Sequence, residues 1–191
     1  MKKIVQLIFA FLFAFSICFA QENNMEKVPK MKSLEIGYRY VLSSSFDAQP
    51  KMGTTVLFDY AWQLSGFTEN KKAAYISVPL AYTYLLNSND TLSKNTRILS
   101  YGWTVRHDFA KNRKVIPFMG YALLLNQLKL DKVKGGVMGH QTRFDVGCDL
   151  RTESKLRYFF KIEYSYTRYP KLGEAKSQTI HAAELNAGIR F

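Results

Sequence analysis

Cysteine is almost missing from this chain of 191 residues, which has only Cys18 and Cys148. Cys18 falls in an N-terminal leader (below), so Cys148 has no intramolecular disulfide partner. In the run Arg143–Leu150 it is in step with Val146 and Leu150, as a small hydrophobe would be. Proline is scarce at 5 residues and histidine scarcer at 3. No Cys/His group has zinc-ligand spacing, and no glycine-rich phosphate loop follows a strand. No metal and no cofactor are therefore expected. Acids are also few: 15 Asp and Glu stand against 27 Lys and Arg, a formal net charge of +12. Long apolar runs are missing beyond the first twenty residues, which excludes a helical membrane span there.

The one apolar run is N-terminal. Met1-Lys2-Lys3 is a short positive segment, and Ile4 to Phe19 is apolar apart from Gln6 and Ser16. Cys18-Phe19-Ala20 puts small residues at the −3 and −1 positions before Gln21. This is the pattern of a secretory signal peptide, with cleavage expected after Ala20. Residues 21–33 are polar and aperiodic and are read as a short periplasmic leader, with a single domain over residues 34–191.

That domain alternates. In the last stretch Ala183, Leu185, Ala187, Ile189 and Phe191 are apolar at every second position, and the intervening residues are mostly polar. Successive side chains on a strand point to opposite faces, so a period of two is the strand signature. The same period recurs in seven earlier stretches: 34–42, 55–64, 75–86, 96–109, 115–127, 140–150 and 156–169. In the third, Pro79 removes a ladder donor and predicts a bulge or bend; in the fifth, Gly120 would let the sheet bend closely. The fifth stretch is apolar on both faces at Ala122–Leu125. The connections after the first, third, fifth and seventh strands read as long, and those after the fourth and sixth as tight.

Eight strands, most with room for the ~9–11 residues that tilted spanning needs, make an all-β, eight-stranded antiparallel up-and-down transmembrane barrel the expected fold. The 12 tyrosines lie mostly on the predicted lipid face, where aromatic girdles form. A soluble sandwich is the alternative, but its solvent-facing positions would be unusually bulky. Arg97 has the outward parity near a loop, where its side chain can snorkel to headgroups. The basic residues of the predicted connections, Lys71, Lys72, Lys111, Arg113, Lys114, Lys129, Lys132 and Lys134, are either solvated loop charges or attractors of anionic headgroups and lipopolysaccharide. Nucleic acid is not an expected partner of an exported chain.

Several segments resemble a known family. Val115-Ile116-Pro117-Phe118-Met119-Gly120-Tyr121, Phe144-Asp145-Val146-Gly147, Tyr164–Tyr169 and the terminal Gly188-Ile189-Arg190-Phe191 are similar to strands of the outer-membrane β-barrel domain family, the small OmpA/OmpX- and OmpW-like barrels. The resemblance implies a bacterial outer-membrane location and no catalytic residue. It also implies that the barrel-assembly machinery recognises the strand ending in Phe191. The expected role is structural or binding, with long loops meeting an outer ligand or partner. An OmpW-type channel for small molecules is the alternative, and a lipid-modifying enzyme the rival class. Against an enzyme, no serine lies two residues from His107, His140 or His181, and His181 and Glu184 have opposite parity.

The inward parity carries the candidate site. Its acids are Glu35, Asp59, Asp108, Asp145, Asp149, Glu163 and Glu184, and its bases are Arg39, Arg106, Arg143, Arg157, Lys161 and Arg190. Eight strands enclose an interior that side chains can fill, and buried charges must pair. The near balance of sign predicts a luminal charge network that plugs the barrel, against the alternative of a wet lumen.

Overall fold

The computed structural model describes residues 30–64, 73–88, 93–110, 114–130, 136–152, 156–170 and 177–191. Eight strands follow in order: Lys30–Ser44 (β1), Pro50–Gln63 (β2), Ala73–Asn87 (β3), Asn95–Asp108 (β4), Val115–Leu130 (β5), Val137–Arg151 (β6), Arg157–Tyr169 (β7) and Gln178–Arg190 (β8). Each pairs antiparallel with its sequence neighbours, and β1 pairs with β8 to close the barrel. The seam continues to the last residue, where Lys32 and Phe191 exchange both backbone bonds at 2.9 and 3.0 Å. The expected fold is therefore the observed one.

Alternation decides which side each residue takes. On β1, Leu34, Ile36, Tyr38, Tyr40 and Leu42 are exposed, while Ser33, Glu35, Arg39 and Val41 are buried. The same division runs round the barrel, so the outside is apolar and the inside largely polar. That is the reverse of a soluble sheet, and an apolar surface so continuous belongs against hydrocarbon. On β5 both faces are apolar: Ala122 and Leu124 are buried inside, while Leu123 and Leu125 are exposed on the apolar outside.

Four expectations need correction. The barrel starts at Lys30, inside what reads as a polar leader, because Ser33 alternates inward and pairs with both Asp59 and Arg190. Residues 1–29, with the expected cleavage site, lie outside the described residues. The contrast of long and tight connections is not observed, since the strands run on into the predicted loops: β5 reaches Leu130, β6 starts at Val137, and Lys129 is a strand residue. Pro79 makes no bulge. Val78 and Pro79 drop out of the β3–β4 ladder, and pairing resumes unshifted from Ser77↔Thr104 to Leu80↔Tyr101. A missing N–H deletes a bond without adding a residue. The register shifts lie instead at Val41/Ser43 and Pro50/Met52. Gly120, finally, makes room: a Cβ there would sit 2.8 Å from Asp145 Oδ1.

With ~3.4 Å rise per residue and ~35–45° of tilt, strands of this length stand roughly 35–40 Å tall, above the ~25 Å apolar band of such barrels. Polar outward residues accordingly gather at the rim opposite the termini: Arg97, Gln127, Lys129, His140 and Arg168. At the terminal rim Tyr60 and Trp62 stack edge-on at 4.7 Å, with exposed Phe109, Tyr158 and Phe191 on the same girdle. Closure of this kind predicts heat-modifiable migration. Unboiled protein in detergent should run apart from the boiled sample on a gel and stay with the membrane fraction; one unshifted band with recovery in the soluble fraction would overturn the membrane barrel.

Candidate functional site

Inward side chains are stacked in layers between the two rims. Nearest the termini, Ala61, Ala73 and Tyr75 form a small apolar floor with Met31 against it. Beside it, with Asp108 opposite Ala73 and Arg106 opposite Tyr75, Arg106 (β4) donates from Nε to Asp108 at 2.6 Å and from Nη2 to Asp149 (β6) at 2.7 Å, and Arg190 (β8) donates to the other oxygen of Asp149. The bond from Arg106 to Asp149 passes over the intervening strand β5. Both guanidinium groups lie on aromatic faces, Arg106 at 3.8 Å from the Phe118 centroid and Arg190 at 4.0 Å from that of Phe159. Weakly hydrated guanidinium groups suit such stacking.

At mid-height a second group forms. Lys161 (β7) bonds Glu35 (β1) at 2.8 Å and stands 3.5 Å from Glu163. Arg143 (β6) and Arg39 (β1) also approach Glu163 at 3.5 Å, and Arg39 Nε donates to Glu184 (β8) at 2.6 Å. Thr55 donates to the same Glu184 oxygen at 3.2 Å. Gly37 leaves the space this carboxylate uses, since a Cβ there would run into Glu184 and Asn186.

Ten of the thirteen predicted network residues thus meet in two ion-paired clusters, one of four groups and one of six. The other three, Asp59, Asp145 and Arg157, lie outside these two clusters. Asp59 bonds Ser77 and has Oδ1 without a hydrogen-bond partner. It lines a cavity of about 30 Å³ together with Asp145, Arg106 and Arg143. Arg106 Nη1 and Arg143 Nε also lack hydrogen bonds. A space of that size takes one or two waters, which would satisfy such groups. Arg157 is half-buried at the terminal rim.

The layer at the opposite mouth is apolar and was not legible as such. The connection Ser45–Gln49 folds inward, burying Phe46 and Ala48, with Phe46 edge-on to Tyr169 at 5.5 Å. Val41, Leu85, Ile98, Leu128, Leu130, Ile180 and Ala182 complete the cluster. Gly139 admits the Tyr169 ring, whose Cδ1 would lie 2.5 Å from a Cβ at that position. Tyr169 shares the parity of Lys161 and Glu163, whereas nothing in the sequence marks Phe46, which lies in a polar stretch.

Outside, the histidines are dispersed. His181 Nδ1 bonds the Tyr164 hydroxyl at 2.7 Å and its ring lies 4.8 Å from that of Tyr166. Glu184 is inside the barrel, on the other face, as parity requires. The register does set Ser43 opposite His181 across the β1–β8 seam, a neighbour invisible to local spacing. No group of three or more His, Cys, Asp or Glu among the described residues could hold a metal. Cys148 is a half-buried free thiol on the outward parity.

The two clusters make luminal substitutions far costlier than rim ones. Arg106→Ala leaves Asp108 without its cation and Asp149 with Arg190 alone, and Glu163→Ala leaves Arg143 without its paired carboxylate and takes one of two partners from Arg39 and Lys161. Each should lower unfolding stability by roughly 3–5 kcal/mol, against about 0.5 kcal/mol or less for exposed Lys51→Ala. Urea unfolding from detergent micelles followed by tryptophan fluorescence measures this, and equal midpoints would contradict the network.

No family model matches the chain, and no curated protein sequence is similar to it. Solved structures are. Neisserial surface protein A superposes with a TM-score of 0.60 at 17% identity, over 84% of this chain and 95% of that one. The outer membrane enzyme PagL gives 0.57 at 10% identity, over 81% and 97%. The outer membrane protein OprG of Pseudomonas aeruginosa gives 0.54 at 9% identity, over 86% and 95%. At such identities the likeness is one of architecture, and it agrees with the apolar exterior and closed ladder: the chain has the fold of the small eight-stranded outer-membrane β-barrels.

Proposed function

We propose that the protein is a structural or binding component of the bacterial outer membrane whose lumen is plugged, and that it acts through its outer surface. The observation that carries this reading is the layered interior. An ion-paired belt fills mid-barrel, an apolar cap centred on Phe46 and Tyr169 covers it, and the described charged cavity is only about 30 Å³. Moving a hydrated ion past the cap would require opening it, and moving one past the belt would require separating buried pairs. The tall rim opposite the termini, with its polar outward side chains, is the surface offered to an outer partner.

A non-catalytic role is supported by the dispersal of the histidines and by the engagement of His181 with Tyr164. The enzyme reading keeps one observation, Ser43 across from His181, together with the architectural likeness to PagL. Assembly by the barrel-assembly machinery is supported by the outward-facing Phe191 at the end of β8.

Planar-bilayer recording tests the plug. Pure folded protein should give no steady large conductance, and Phe46→Ala alone should not create one because the charged belt remains; porin-like current from the unmodified protein would refute the reading. Incubation with phospholipid and lipopolysaccharide, followed by mass spectrometry, should return both lipids unchanged. Protein-dependent acyl loss that Ser43→Ala abolishes would establish the enzyme instead.

A further inference from the structure

The two ion-paired clusters inside the barrel are each neutral, with two cations to two carboxylates in one and three to three in the other. Two guanidinium groups at the terminal mouth belong to neither. Arg157 (β7) lies directly opposite Arg151 (β6) on one side and Arg190 (β8) on the other, all three with the inward parity. Like charges set opposite each other destabilise a sheet. Arg151 and Arg157 are half-buried, and Arg151 Nε is enclosed without a hydrogen-bond partner. Arg157 acts on Asp149 through space, but that carboxylate already has a guanidinium on each oxygen, Arg106 on one and Arg190 on the other. Asp59 and Asp145, the acids outside the clusters, line the enclosed cavity further into the barrel. The Arg151 amide bonds the Lys114 carbonyl at 2.8 Å, which brings a third, exposed cation to the same edge. The connecting residues Glu153 and Lys155 carry one charge of each sign. Among the described residues, the mouth therefore holds at least two positive charges more than its own carboxylates balance.

We propose that this mouth is a binding site for a dianionic phosphate group, free or as the monoester of a water-soluble molecule, held between Arg151 and Arg157. Inward side chains border the barrel axis and not the lipid wall, so the occupant comes from solution and not from a leaflet. Residues directly opposite on neighbouring strands have Cβ atoms about 4.5–5.5 Å apart, close enough for two guanidinium forks to converge on one tetrahedral group. Each fork offers paired N–H donors to two oxygens, and Lys114 adds a mobile point charge. Charge selects among oxyanions. A phosphate monoester carries about −1.5 to −2 at pH 7, which matches the two arginines. A carboxylate or a phosphodiester carries a single charge and leaves one of them unbalanced.

The test uses full-length protein in a non-ionic detergent, shown to be folded by its heat-dependent gel mobility. Titration calorimetry is done near neutral pH in ~0.15 M salt, where diffuse rim charge is screened. The probes are inorganic phosphate, methyl phosphate, dimethyl phosphate and acetate. Wild-type protein should bind the better of the first two roughly tenfold more tightly than either singly charged probe. Tighter binding of inorganic phosphate assigns the site to free phosphate, and equal or tighter binding of methyl phosphate assigns it to an ester. Arg151→Gln with Arg157→Gln should remove the preference, whereas Lys30→Gln with Lys32→Gln, outward on the same rim, should keep it. Equal binding of dimethyl phosphate or acetate, no binding of any probe, or an unchanged preference in the Arg151/Arg157 double variant would each overturn the site. The comparison of probes on wild-type protein decides the matter even where that double variant does not fold.

Discussion

Backbone hydrogen bonding in a medium without water is the constraint on which the structure depends. Each N–H and C=O left unpaired in hydrocarbon costs several kcal/mol, so a sheet there must have no edge. Pairing of β1 with β8 supplies that closure, and with eight strands it fixes a narrow interior. A narrow interior leaves side chains to fill the space. Any charge placed there must then find its counter-charge among the few strands within reach. The bonds from Arg39 to Glu184 and from Lys161 to Glu35 are consequences of closure in this sense, since they join residues 145 and 126 positions apart.

Much of this is readable before any coordinates exist, because one rule governs it. Parity tells inside from outside wherever a strand is regular. It therefore identified the lipid face of β1, the inward acids and bases, and the separation of His181 from Glu184 without reference to pairing. What parity cannot give is register. That Arg106 reaches Asp149 while Asp59 finds Ser77, and that Ser43 lies beside His181, depend on which residue of one strand meets which of the next. Register is set by the accumulated pairing of whole strands and has no local signature here.

The remaining misreadings share a physical origin. Strand ends in this barrel rise past the apolar band into a polar environment, so the outward residues there need not be hydrophobic. Alternation fades, and the sequence of β5 beyond Gln127 or β6 before His140 looks like loop although its backbone still pairs. Ser45–Gln49 fails for the opposite reason: a turn need not alternate at all, and its one aromatic residue is buried by folding back over the mouth. The rim charges follow from the same geometry. A residue such as Lys129 reads as a loop lysine in the sequence, but the ladder fixes its backbone opposite Arg97.

The seam between β1 and β8 also governs the order of events in folding. Seven of the eight strand pairings join sequence neighbours and can form progressively, hairpin upon hairpin. The eighth joins the two ends of the barrel, down to the exchange between Lys32 and Phe191. Until it forms, both edges are unpaired, and Glu35 and Arg39 lack the partners that β7 and β8 bring. Non-local pairing of this kind is slow and leaves the open sheet exposed to aggregation. The chain therefore cannot complete itself strand by strand as it emerges. Closure waits for the C-terminal strand, and it is a late event that seals the ladder and brings Glu184 and Arg190 to their partners.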